Sequence, residues 1–184
     1  MVSGFGAEAI ATQRVGGQIE SVSWNTADGF GAALNAFIGQ NYGAGKMDRV
    51  KKGYRASLIT VGVWGLFITL LFVCFPEQIS GVFFHEPTAI ATAVGYMIII
   101  GYSEAFMSVE LMTVGALSGL GKTHLCSVIS ITLTSARIPL AIFLSSTALG
   151  LLGIWWALTA TSVVKGIVFV MAFYWITARM RNSK

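Results

Sequence analysis

The chain has 184 residues, 55% of them hydrophobic and 11% charged, with a net charge of +4. A soluble domain carries about 25% charged residues, so this composition excludes an ordinary water-exposed surface and predicts a helical integral membrane protein. The basic residues lie between long apolar runs, which excludes the clustered basic patch that nucleic acid requires.

In chain order, the opening MVSGFGAEAIATQR lacks the basic start and the continuous apolar core of a signal peptide. It begins a few residues before the first helical pattern, which reads as a fragment of a longer frame. Residues 14–39 form a relatively polar helix with Gln18, Glu20, Asn25, Asp28 and Asn35. It is read as a membrane helix with one face on protein or water; a surface amphipathic helix is the alternative. A helix needs about 20 apolar residues to span a bilayer. Residues 55–75 supply the cleanest such run, uncharged from Ser57 and closed by Pro76. The third helix covers 88–117 and carries Glu104 and Glu110. The fourth, 124–147, is interrupted by Arg137, and the fifth, 151–177, by Lys165. Cys74 and Cys126 fall within apolar stretches and read as small buried hydrophobes.

Lysine and arginine set the orientation. The first connection carries Lys46, Arg49, Lys51, Lys52 and Arg55, the third Lys122, and the tail Arg179, Arg181 and Lys184. The second and fourth connections have none. With five spans, these nine of the twelve basic residues share one side, which places the C-terminus in the cytoplasm.

A charge at a helix centre costs roughly 2.5–3.5 kcal/mol on insertion scales, so such groups face a bundle interior or a wet cavity. Glu20, Asp28, Gly31 and Asn35 share one arc of the first helix. Ser127, Ser130, Thr134 and Arg137 form a polar stripe on the fourth, followed by Pro139, and Thr161, Ser162 and Lys165 cluster on the fifth. The expected result is a polar interior with both signs of charge. Its carboxylates can bind a proton or metal ion, or attract an organic cation. Arg137 and Lys165 are expected to pair structurally with carboxylates across the bundle.

Enzyme constellations are missing: His85 and His124 lie at opposite sides of the predicted membrane, so they cannot share a metal, and no His-rich or Cys-rich cluster occurs. ALSGLGKT (116–123) fits a loose phosphate-loop pattern. It follows a helix rather than a strand, and no Asp-ended strand for magnesium is evident. It reads as a tight glycine turn with a lysine at a helix end.

GQNYGAGKMDR (39–49), GALSGLGKT (115–123), RIPLA (137–141) and LGLLGIWWALTATSVVKG (149–166), in this order and spacing, resemble segments of the multidrug and toxic compound extrusion (MATE) family. The resemblance covers nearly the whole chain. It implies an all-α membrane fold in which about five helices make up most of one bundle of a two-bundle transporter, the N-terminal bundle being absent from this chain. It implies export of small organic cations and amphipathic drugs across the plasma or inner membrane, in exchange for sodium or protons, with no cofactor. Several family members carry an acid on the third helix where this chain has Met107. Glu104 and Glu110 flank that position and are the candidate sodium site; the alternative is that this bundle does not bind the coupling ion. Glu104, Glu110, Glu20 and Asp28 are therefore the ion- or substrate-binding candidates, with Asn35, Ser130, Thr134, Arg137 and Lys165 as polar or pairing groups. Other readings are a flippase for lipids or lipid-linked sugars, and a non-transporting membrane subunit or inactive fragment.

Overall fold

The computed structural model describes residues 2–182, and Lys184 of the basic tail lies outside them. Regular structure among the described residues is helical. After a 3-10 turn at Val2–Phe5 come α1 (Ala7–Gly43), α2 (Met47–Cys74), α3 (Pro76–Phe83), α4 (Pro87–Gly119), α5 (Thr123–Ser145) and α6 (Leu151–Asn182). Four of these, α2, α4, α5 and α6, are long and apolar enough to cross a membrane. α1 has 37 residues, about 55 Å of helix, but is more polar.

Local chemistry sets the breaks. Gly45 and Gly121 adopt φ of +72° and +73°, a left-handed conformation that glycine enters without steric penalty, and each turns the chain between antiparallel helices. Pro76 and Pro87 occupy the first turns of α3 and α4, where the missing N–H costs nothing. Pro139 lies inside α5, yet the helix runs through it.

Several boundaries differ from the sequence expectation. The basic segment 41–55 was expected to be a connection. It shrinks to a turn at 44–46, and Arg49, Lys51, Lys52 and Arg55 ride on the first turns of α2. Lysine and arginine are good helix formers, and Gly53 alone does not break the run. The segment 76–87 holds the short helix α3, with Pro76 and Ser80 buried. α1 starts earlier, at Ala7, and α6 continues to Asn182. Cys74 is exposed at the end of α2, contrary to the buried reading; Cys126 is buried.

α4 is the central helix, packed against α1, α2, α3 and α6, while α5 leans mainly on α6. α1 buries Ala9, Thr12, Gly16, Glu20, Ser23, Ala27, Gly31, Leu34, Ile38 and Asn41. Small and polar side chains dominate this stripe, which suits close approach of helix backbones. Val22, Phe30 and Phe37 remain exposed beside this stripe. In the half of the bundle near the basic turns, Tyr54 stacks on Phe173 at 3.6 Å between ring centroids, and its hydroxyl lies 3.0 Å from Thr113 Oγ1. The other half is more open, because α5 stands off from α1. Thr159 Oγ1 there donates to the Ile99 carbonyl at 2.8 Å, tying α6 to α4.

Candidate functional site

The gap between α1 and α5 is a polar cavity of about 500 Å³, with α4 and α6 as its floor. α1 contributes Glu20, Trp24, Asn25 and Asp28, α4 contributes Tyr96, Ser103, Met107 and Glu110, and α5 and α6 contribute Arg137, Ser162 and Lys165. The acids of α1 thus face the bases of α5 and α6. The helix periodicity brings them here: Glu110 and Met107 are one turn apart on α4, as are Ser162 and Lys165 on α6.

Glu20 is 2% exposed, and the Tyr96 hydroxyl donates a hydrogen bond to its Oε1. The Tyr96 ring packs edge-on to Trp155, 5.1 Å between centroids, and lies across Gly16, where any side chain would strike it. Gly16 and Trp155 therefore fix the tyrosine that fixes the carboxylate. Replacing Tyr96 with Phe keeps this packing and leaves a buried carboxylate short of a donor. A loss of about 1–3 kcal/mol in unfolding free energy is expected, read as a lower melting temperature, with Glu20→Gln recovering part of it in the double variant. Equal melting of Tyr96→Phe and the parent chain would remove the hydrogen bond from the account.

Glu110 is paired with Lys165, Nζ to Oε1 at 2.6 Å, both side chains about one-tenth exposed. Arg137 does not pair with a carboxylate, as the sequence had suggested. Its Nε donates to Thr161 Oγ1 at 2.9 Å and its NH2 to Ser162 Oγ at 3.2 Å. Thr161 in turn donates to the Ala157 carbonyl at 2.8 Å. The adjacent hydroxyls hold the guanidinium on α6, within electrostatic reach of Glu110.

Glu104 is fully buried and lies outside the cavity lining. Ser23 and Trp24 of α1 face it, but neither carboxylate oxygen has a hydrogen-bond partner in the structure. The expected shared site of Glu104 and Glu110 is not assembled: six residues apart on one helix they point about 120° apart, one toward α1 and the other toward Lys165. Glu104 is instead coupled electrostatically to Glu20. Among the described residues no three His, Cys, Asp or Glu side chains come together as a metal site.

The remaining candidates separate. Asp28 lines the cavity from an exposed position. Asn35 is exposed and absent from the lining, because the arc shared by Glu20, Asp28 and Asn35 spans about 80°. Its buried edge meets α4 and its other edge does not. Thr134 is exposed and Ser130 partly so, and neither reaches the cavity. α5 buries only Cys126 and Ala141, so most of the predicted stripe faces away from α6 and Arg137 alone reaches inward. Sequence reasoning missed Tyr96, Gln13 and Ser103. Tyr96 lies in an uncharged run where only its eight-residue spacing from Glu104 hints at a related face.

The MatE family model matches residues 1–143. The chain is 29% identical over 170 residues to the Thermotoga maritima protein named "Probable multidrug resistance protein NorM", covering 91% of this chain and 37% of that one. A Pseudomonas aeruginosa protein of the same name is 29% identical over 186 residues, covering 96% and 38%. Among solved structures, the bent form of the Vibrio cholerae MATE transporter VcmN superposes with a TM-score of 0.88 at 19% identity, over 98% of this chain and 41% of that one. The chain thus spans about two-fifths of the length of these relatives, as a single helical bundle. With most of its residues matched by the family model and its fold shared with a solved member, the chain is a multi-pass membrane protein that belongs to the MatE family.

Proposed function

We propose that this bundle is part of an ion-coupled antiporter that exports cationic and amphipathic organic compounds. The observation that carries this reading is the cavity wall on α1, where Glu20 and Asp28 flank Trp24 and Glu20 meets the Tyr96 hydroxyl. Carboxylates beside aromatic faces suit an organic cation, which gains from both the charge and the ring quadrupole. The names of the relatives point the same way. α1 serves as a fifth span: its small and polar residues are buried in the bundle while Val22 and Phe30 stay exposed, the reverse of a helix lying on a surface. Five spans place the basic turns and the C-terminus in the cytoplasm of a cell carrying the protein in its plasma or inner membrane. The coupling ion, sodium or a proton, is exchanged at Glu20 and Glu104, whose paired burial favours uptake of a cation.

Binding tests this on the chain itself. Tetraphenylphosphonium, titrated calorimetrically into the detergent-solubilised chain, is expected to bind. Asp28→Asn and Glu20→Gln are each expected to weaken it roughly tenfold, the worth of one partly screened charge pair. Sodium or acid should compete, and whichever does so identifies the coupling ion. Tetraphenylborate, the same shape with opposite charge, should not compete. Equal binding of the two ions, or indifference to both substitutions, would sink the cation reading.

A further inference from the structure

The phosphate-loop-like stretch 116–123 has a second use in this fold. Gly121 turns the chain so that Lys122 and Thr123 open α5, and Lys122 stands at the cap position with no side-chain cap on the helix. The first backbone bond into α5 from this turn is Cys126 N–H to the Lys122 carbonyl at 3.2 Å. The amides of Thr123, His124 and Leu125 precede it and are orphan donors of the kind that bind phosphate at helix N-termini.

A separate cavity of about 430 Å³ lies beside this helix start, lined by Lys122, Leu125, Trp175, Ile176, Arg179 and Met180. Lys122 and Arg179 are exposed cations with no acidic partner among the described residues. Arg179 stands over the Trp175 ring, 5.5 Å from its centroid. Trp175 is 61% exposed, which puts a large amphipathic ring on the outer surface at one end of α6. Leu125 and Ile176 line the same cavity as the two cations. A tryptophan with neighbouring basic residues at a helix end is the arrangement found at the headgroup level of a bilayer.

From these features together we infer that the α4–α5 turn and the end of α6 bind an anionic phospholipid of the leaflet on the basic side of the membrane. Its phosphate sits between Lys122, Arg179 and the free α5 amides, and the start of an acyl chain lies over Leu125 and Ile176. Charge complementarity selects the headgroup, and the apolar lining selects a lipid over free phosphate or a nucleotide. The inference rests on the chain lying in a membrane, not on what it transports.

Native mass spectrometry of the detergent-solubilised chain tests it. Dioleoyl phosphatidylglycerol is expected to be retained at least tenfold more than phosphatidylcholine with the same chains. Lys122→Ala/Arg179→Ala should abolish that preference, and Lys122→Glu should do so through one exposed side chain that folding does not need. Lys51→Ala/Lys52→Ala removes the same charge from the first turns of α2 and should leave the preference intact. Equal retention of the two lipids, equal effects of the two double alanine variants, or displacement of phosphatidylglycerol by millimolar inorganic phosphate or ATP would each overturn the assignment. A melting temperature matching the parent chain confirms that the variants are folded.

Discussion

Glu110→Gln is expected to lower the unfolding free energy by about 3–5 kcal/mol, the cost of leaving a buried cation without its partner. The Lys165 side chain is only 12% exposed, and its ammonium loses the 2.6 Å contact. Arg137 also faces Glu110 electrostatically, so one neutralised carboxylate leaves two cations uncompensated. Lys165→Met should be milder, roughly half as large, because the remaining Glu110 carboxylate still has Arg137 nearby. The double variant Glu110→Gln/Lys165→Met should recover most of the larger loss, with a coupling energy of about 2 kcal/mol or more. Thermal unfolding in detergent, followed by tryptophan fluorescence, gives all four stabilities. Strict additivity would mean that the pair contributes nothing as a pair. Equal loss from the two single variants would mean that Arg137 is not part of the balance.

This asymmetry could not be read from the sequence. The presence of charges inside spans was legible, because an intramembrane charge is rare and must face protein or water. A carboxylate partner for Lys165 was expected and is observed in Glu110. The same expectation failed for Arg137, which uses Thr161 and Ser162 instead. The difference lies in helix rotation. A periodicity argument places a residue on an arc of about 80–100°, whereas a neighbouring helix covers only part of that arc. Glu20 and Asn35 illustrate it: one edge of α1 is buried on α4 and the other is open. Ser130 and Thr134 missed the cavity because nothing in their own spacing says how little of α5 rests on α6. The four apolar runs were clear in the sequence, since length and high hydropathy mark them even where one or two charges interrupt. Their ends were not, because Lys51, Lys52 and Arg55 continue a helix as readily as they fill a loop.

Gly115→Val is expected to separate α1 from α4 and lower stability by about 3 kcal/mol or more, at the upper end of overpacking effects. A side chain at Gly115 would run into the backbone of Gly31. One turn further along, a side-chain carbon at Gly119 would come within 2.6 Å of the Asn35 carbonyl oxygen, and one at Gly31 within 3.0 Å of the Leu111 carbonyl oxygen. Three glycines therefore let two helix backbones touch, and no rotamer change can relieve a clash with a peptide group. Either the helices part or one of them bends. The same two helices carry Glu20 and Tyr96 further along the bundle, so the effect should extend to the cavity. Tetraphenylphosphonium binding should weaken together with the melting temperature, although Gly115 does not line the site. Gly115→Ala should show the same pattern at about 1–2 kcal/mol. Gly62→Ala is the control: no atom lies within 4 Å of the added carbon, and α2 is helical there. Alanine at that position should be neutral or stabilising by up to about 1 kcal/mol. If Gly115→Val and Gly62→Ala melt alike, close backbone contact is not what holds α1 on α4. If Gly115→Val is unstable but binds the cation normally, the cavity does not depend on the spacing of these helices.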